Sequence, residues 1–351
     1  MEIRNRTKHV AGFSVQLDRN GGEHMVVCVR GTWSLDDRGR LALMDEPPPF
    51  LPADECAGEP GLSSVRWEAD LGPMKPGTDC ALGGYAVAPK GRARAVHVSF
   101  LCGTVAKKAR VIGARKRLFW LLRWWNTPAA PFQRVPLQWE LALGGSDFTP
   151  KNEKRHSLDL ANPLGRGFRA RGSKKKRIGE PLPQILAPAG CLGLLPAREP
   201  GGFGLTGNHW KHRRKYAGTY DDAWKENRAP LLPEDFDERF HLAAAPGLST
   251  GTHLEGGEPV EIAGCTKGGR LAFRLPRVAL DVEATLGGAP ESIEMKLVTV
   301  QVDTASMQLR LTWRGDLYVH GRFPKLTRVD VAERRRAGRG GAAAEDERGA
   351  A

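Results

Sequence analysis

Residues 293–313 read IEMKLVTVQVDTASMQLRLTW, and the period of their apolar residues decides the fold. From Ile293 to Val302, and again from Met307 to Trp313, apolar and polar side chains alternate as in a half-buried strand. Asp303-Thr-Ala-Ser306 between them are turn formers. The stretch therefore predicts a β-hairpin with Met307, Leu309, Leu311 and Trp313 on one face.

The start of the chain is written in the same style. Met25-Val-Val-Cys-Val-Arg-Gly-Thr-Trp33 is rich in β-formers, and Asp36-Asp-Arg-Gly39 reads as a turn leading to Leu41. Ala95–Leu101 (AVHVSFL) alternates, placing Val96, Val98 and Phe100 together. Between these runs DEPPPFLPADECAGEP (45–60) predicts a loop or loosely ordered insertion, and no helix of ordinary length fits the first hundred residues.

Residues 127–260 differ, being rich in Pro, Gly, Trp and charge with little periodicity. Loops of this length are uncommon in compact domains unless functional or braced. The aromatics Phe132, Trp139, Phe148, Phe168, Phe203, Trp210, Tyr216, Tyr220, Trp224, Phe236 and Phe240 argue for bracing. Two short helices fit: one N-capped by Thr219, and one opened by Pro233 with Phe236 and Phe240 a turn apart. The expected fold is mainly β, with packed antiparallel sheets in a sandwich-like arrangement, a long irregular central segment and one or two short helices. A single domain is expected over 1–330, β-rich at 1–126 and 261–330 and irregular at 127–260. Residues 331–351, charged and without apolar period, are expected to be disordered.

Composition sets further bounds. The chain has 351 residues, 40% hydrophobic and 26% charged, which is ordinary for a globular protein. No apolar run is long enough to span a bilayer, and the first residues lack a secretory signal, so a cytoplasmic protein is expected. The 6 cysteines are scattered with no C-x-x-C pair, which fits reduced, buried thiols rather than a disulfide or zinc framework. The formal charge of +13 is concentrated: residues 106–216 hold 23 basic against 6 acidic residues, and residues 217–262 hold 3 against 10. Such blocks either meet partners of opposite charge or neutralise each other within the fold.

No stretch carries a catalytic signature. The acidic cluster Asp221, Asp222, Glu234, Asp235, Asp237 and Glu238 lacks the alternation and central Gly of a calcium loop, and fits helix starts and ion pairs to the basic segment. His209-Trp-Lys-His212 has spacing for two imidazoles on one helical face, but four neighbouring cations oppose a metal. The Gly pairs at 144–145 and 201–202 match no phosphate loop, and there is no G-x-S-x-G. RARGSKKKR (169–177) is a cationic loop open to phosphates or an acidic partner. RKRLFWLLRWWN (115–126) mixes arginine with Phe, Trp and Leu as interfacial segments do, and burial as a strand or helix edge is the plainer expectation.

Taken together, several short motifs resemble one family. They are KPGTD (75–79), GGYAVAP (83–89), PLQWELALGG (136–145), NPLGRGF (162–168), LPQI (182–185), GFG (202–204), YAGTYDDAW and LLPEDFDERF (216–240), and LPRVAL (275–280). In this order the chain resembles the DUF2169 family of type VI secretion accessory proteins. The resemblance implies a non-enzymatic adaptor or chaperone that needs no cofactor. Its partners would be a toxic effector linked to a PAAR-type tip domain, and the VgrG spike protein. It marks Lys75, Asp79, Trp139, Glu140, Asn162, Arg166, Trp210, Tyr220, Asp221, Trp224, Phe236 and Arg239 as signature or partner-binding positions, with no catalytic or metal-binding residue. The segment 115–126 departs from the family pattern and is a candidate for partner specificity. Two rival readings are a metal-dependent hydrolase using the Asp221/Asp222 region and a nucleic-acid binder using residues 106–177.

Overall fold

The computed structural model describes residues 2–120, 122–168, 178–188 and 199–334. The cationic loop 169–177, Cys191 and the tail from 335 onward lie outside them. The hairpin forms the middle of the largest sheet. Lys296–Asp303 pairs antiparallel with Gln308–Tyr318 across the turn 304–307, where Met307 takes a positive φ of 50°. The apolar parity of the first strand switches between Leu297 and Val298. A register shift between Leu297 and Thr299 absorbs the switch, so Leu297, Val300 and Val302 all reach one core.

Outward from the hairpin, Gln308–Tyr318 pairs with Glu23–Leu35, and that strand pairs with Val10–Leu17, both antiparallel. Leu41–Leu43 folds back onto Trp33–Leu35. On the far side Asp79–Gly83 joins Lys296–Asp303 in parallel. One face of this central sheet carries Met25, Val27, Val29, Trp33, Leu309, Leu311, Trp313, Cys80 and Leu82, all buried. Two further sheets cover it side by side. A five-stranded sheet ordered Ile185–Leu186, Val105–Ile112, Ala95–Cys102, Pro259–Ala263 and Arg270–Arg274 packs Val98, Phe100, Val111, Val260 and Ile262 on the half near Trp33. A four-stranded sheet ordered Glu2–Asn5, Leu326–Glu333, Leu280–Leu286 and Ala289–Ile293 packs Val282, Ala284, Val329 and Val331 on Met25, Val27 and Val29. The mainly β, packed-sheet expectation holds. The last strand runs to Glu333, past the expected limit at 330, and pairs in parallel with Glu2–Asn5.

The opposite face of the central sheet is polar and equally buried. Arg30, Thr32, Arg310, Thr312, Arg314, Thr299, Gln301 and Asp303 project from it. The proline-rich segment 45–60, read from sequence as a loop or loosely ordered insertion, continues to residue 75 as a strap laid across these side chains. Arg30 donates to the carbonyls of Pro48 at 2.6 Å and Pro49 at 2.9 Å and pairs with Asp70 at 3.0 Å. Arg314 donates to the carbonyls of Ala69, Asp70 and Pro73 at 2.9, 3.2 and 3.0 Å. The Arg310 guanidinium lies 3.7 Å from the centre of the buried Trp67 ring, and burial there pulls its pKa down to about 10. Within the strap Glu55–Cys56 pairs antiparallel with Val65–Trp67, and the sheet's arginines satisfy carbonyls at 48, 49, 69, 70 and 73 that lie outside this pairing.

The central segment is irregular, as expected, with α-helix confined to Lys211–Arg214 and Asp222–Asn227 among the described residues. Two details differ from the sequence reading. Asp221, not Thr219, caps the second helix, accepting from the Trp224 amide at 2.8 Å. Thr219 instead donates from its amide and hydroxyl to the Asp235 carboxylate at 2.9 and 2.7 Å. Pro233 opens no helix. Its carbonyl closes a turn with the Phe236 amide, and only a short 3₁₀ segment, Glu238–His241, follows under an Asp237 cap. Phe236 and Phe240 still meet, at 5.6 Å between ring centres. No helix among the described residues is long and apolar enough to cross a membrane.

Candidate interaction surface

The signature positions separate into a buried scaffold and an exposed remainder. Lys75 ends the strap under the central sheet. Its ammonium contacts Glu68 at 2.6 Å, Asp79 at 2.7 Å and the Thr299 hydroxyl at 3.0 Å. Asp79, fully buried, also accepts from the Ala243 amide at 2.7 Å and the Ser249 hydroxyl at 2.7 Å, and so ties the central segment to the sheet edge. Glu68 completes the knot. Burial alone would raise its pKa, but the Lys75 and Arg314 charges and the Lys75 and Thr299 hydrogen bonds outweigh it and hold the carboxyl at about 2.

Because the folded-state value lies below the ordinary one, this stabilisation is complete above the normal carboxylate range and is lost as pH falls toward the folded value. Unfolding free energy is expected to drop by on the order of 3 kcal/mol between about pH 5 and pH 2 from this group. Urea titrations of the wild type and of Glu68→Gln at both ends of that range check it: equal slopes with pH would refute the assignment.

Trp139, Glu140, Asn162, Arg166 and Trp210 meet in a second node. The Trp139 and Trp210 rings are edge to face at 4.9 Å, and the Trp139 indole donates to the Leu205 carbonyl at 2.8 Å. Asn162, fully buried, donates to the carbonyls of Trp139 and Leu143, both at 2.9 Å. Arg166 donates to the Glu140 carbonyl at 2.7 Å, while the Glu140 carboxylate accepts from the amide and hydroxyl of Ser64 at 2.8 and 2.5 Å. The glycine pair at 144–145 has a steric reason. Gly144 sits at φ 144°, and a Cβ there would lie 2.1 Å from the Asn162 carbonyl oxygen.

The third group, Phe236 apart, faces outward. Tyr220 packs edge-on against Trp224 at 4.7 Å, and the Trp224 indole donates to the Leu231 carbonyl at 2.9 Å. Phe236 is buried, and Arg239 pairs with Asp237 and lies 4.5 Å from the Tyr216 ring centre. The acids of this stretch were expected to pair with the basic segment 106–216. The ion pairs described run instead to Lys225, Arg228 and Arg239 within the stretch and to His241 next to it. The two histidines of 209–212 also stay apart in role. His212 shares a 2.8 Å hydrogen bond with the Thr206 hydroxyl, and burial next to Arg213 and Lys107 lowers it to about 4. Among the described residues no three His, Cys, Asp or Glu side chains form a metal-binding group.

A cavity of about 350 Å³ opens between the strap and the sheet edge, lined by Glu55, Arg66, Trp67, Tyr85 and Asp303 among others. Its charged groups already satisfy one another: Arg66 pairs with Asp303 at 3.2 Å and Glu55 at 3.3 Å. Arg30, Glu68, Asp70 and Arg314 escaped the sequence reading altogether. The available signal was arginine at 30, 310 and 314 inside strands otherwise built of apolar and β-branched residues.

The segment 115–126 reverses its expected burial. Arg117–Trp120 and Arg123–Asn126 form a separate two-stranded hairpin that projects from the body. Leu118, Phe119, Leu122, Trp124 and Trp125 are 40, 41, 90, 45 and 55% exposed. Its apolar residues follow one another without alternation, and among the described residues the pair joins no other sheet, so burial did not follow from its apolar content.

No curated protein and no solved structure matches this chain. Residues 20–314 match a family described as an uncharacterized protein conserved in bacteria (DUF2169). The match spans the strap, both buried nodes and the outward-facing stretch, and the chain is a member of the DUF2169 family.

Proposed function

We propose that this protein is a non-enzymatic adaptor of the cytoplasm, which stabilises a toxic effector linked to a PAAR-type domain and aids its loading onto the type VI secretion spike. The observation that carries this reading is the exposed charge of both signs on a scaffold braced from within. Asp222, Glu234 and Glu238 face solvent on one stretch, and Lys108, Arg110, Lys154, Arg155, Lys211 and Arg214 face it on the basic segment. The acids pair locally and leave the basic segment unmatched, so residues 217–262 keep 3 basic against 10 acidic residues and residues 106–216 keep 23 against 6. Exposed blocks of opposite net charge steer and orient protein partners more than they add affinity. The buried signature carboxylates of Glu68, Asp79 and Glu140 are engaged by an ammonium, hydroxyls and amides, as structural rather than proton-transferring groups are.

Co-expression with a PAAR-linked toxin encoded beside this protein is expected to raise the toxin's soluble yield and to give a complex that co-elutes on size exclusion. Unchanged solubility together with separate elution would overturn the reading.

A further inference from the structure

We propose that the hairpin 117–126 is a membrane-surface anchor that inserts among the headgroups of an anionic lipid layer. The register sets Leu118 opposite Trp125 and Phe119 opposite Trp124. Adjacent residues of a strand point to opposite faces, so each face of the hairpin carries an aromatic and a second apolar side chain. The tip residue Leu122 is 90% exposed. A hairpin that docks on a flat protein surface needs one apolar face. One that is apolar on both faces and at the tip needs a medium that surrounds it, and a fluid interface does so without a matched cleft.

Charge and shape agree with a lipid occupant. Residues 115–126 include four basic side chains and no acid, and Lys116 and Arg123 are exposed. Tryptophan beside arginine and lysine is the composition that settles at headgroup depth. Four-residue strands rise about 13 Å, enough to reach the boundary between headgroups and acyl chains. The base is already fixed. Lys116 and Thr127 exchange hydrogen bonds at 2.9 Å, Arg117 accepts from the Gly179 amide at 2.7 Å, and Arg115 accepts from the Leu182 amide at 3.0 Å. Little ordering is left to pay on insertion. This inference is independent of the adaptor reading.

The test is flotation of the full chain with vesicles of phosphatidylglycerol and phosphatidylcholine, against vesicles of phosphatidylcholine alone. The wild type is expected to float with the anionic vesicles only. Leu122→Asp and Trp125→Ser are each expected to weaken binding about ten-fold or more. Lys325→Glu, on the exposed turn before Leu326–Glu333, should stay near wild type, and unchanged melting curves confirm that the hairpin variants fold. No flotation, equal flotation with both vesicles, or full binding by Leu122→Asp would overturn the proposal. If Leu122→Asp abolishes co-elution with the effector while vesicles are ignored, the occupant is a protein cleft: the lipid proposal falls and the adaptor reading stands.

Discussion

Lys75→Met is expected to cost about 3–5 kcal/mol of folding free energy, the usual result of removing one partner from a buried ion pair. The methionine keeps most of the apolar stem but removes the ammonium that contacts Glu68 and Asp79. Both carboxylates are then left facing each other under the strap with only amides and hydroxyls to hold them. Protonation would relieve the repulsion, so the loss should shrink at acid pH, opposite to the wild-type trend. Urea unfolding at neutral and acid pH reads both effects. A cost under about 1 kcal/mol would mean that water reaches the knot and screens it. Because Asp79 also accepts from the Ala243 amide, protease sensitivity near residues 243–250 should rise in the same variant.

Trp139→Ala is the second large effect, at about 3–5 kcal/mol. The ring is 1% exposed and packs on Trp210, and a Cβ at Gly202 would lie 2.4 Å from it, so the chain closes on it without slack. Alanine leaves a cavity and also orphans the Leu205 carbonyl that the indole satisfies. Trp139→Phe separates the two contributions. It restores most of the packing and should cost only about 1–3 kcal/mol, the part due to the unsatisfied carbonyl. Thermal melts of the pair decide: equal losses would show that the missing hydrogen bond, and not the cavity, sets the cost.

What was legible in the sequence was local. Alternation at 95–101 and 293–313 announced strands because one face of each is covered by a core. The strap was opaque for the opposite reason. Its prolines deny it a period, and what orders it is a set of arginines that arrive from strands at 30, 310 and 314. Lys75 and Asp79 were singled out by resemblance, but their chemistry depends on Glu68 and Thr299, which no spacing connects to them. Apolar content misled at Leu118, Phe119, Leu122, Trp124 and Trp125, residue types that normally mark a core and here stand in solvent. At Pro233 the residue type suited a helix start, yet Asp235 was already committed to Thr219 and the chain turned instead.

The pairing of Glu23–Leu35 with Gln308–Tyr318 joins strands separated by most of the chain, and Glu2–Asn5 lies beside Leu326–Glu333. During synthesis the early strands emerge long before those partners exist. Until then Val26-Val-Cys-Val29 has only the strand Val10–Leu17 on one edge, and its other edge is open to any passing strand. Closing such distant pairs is slow, and exposed edges favour misassembly in the interval. A ribosome-bound holding factor, or slowed translation at low temperature, should therefore raise the yield of this protein more than any stabilising change to its finished surface.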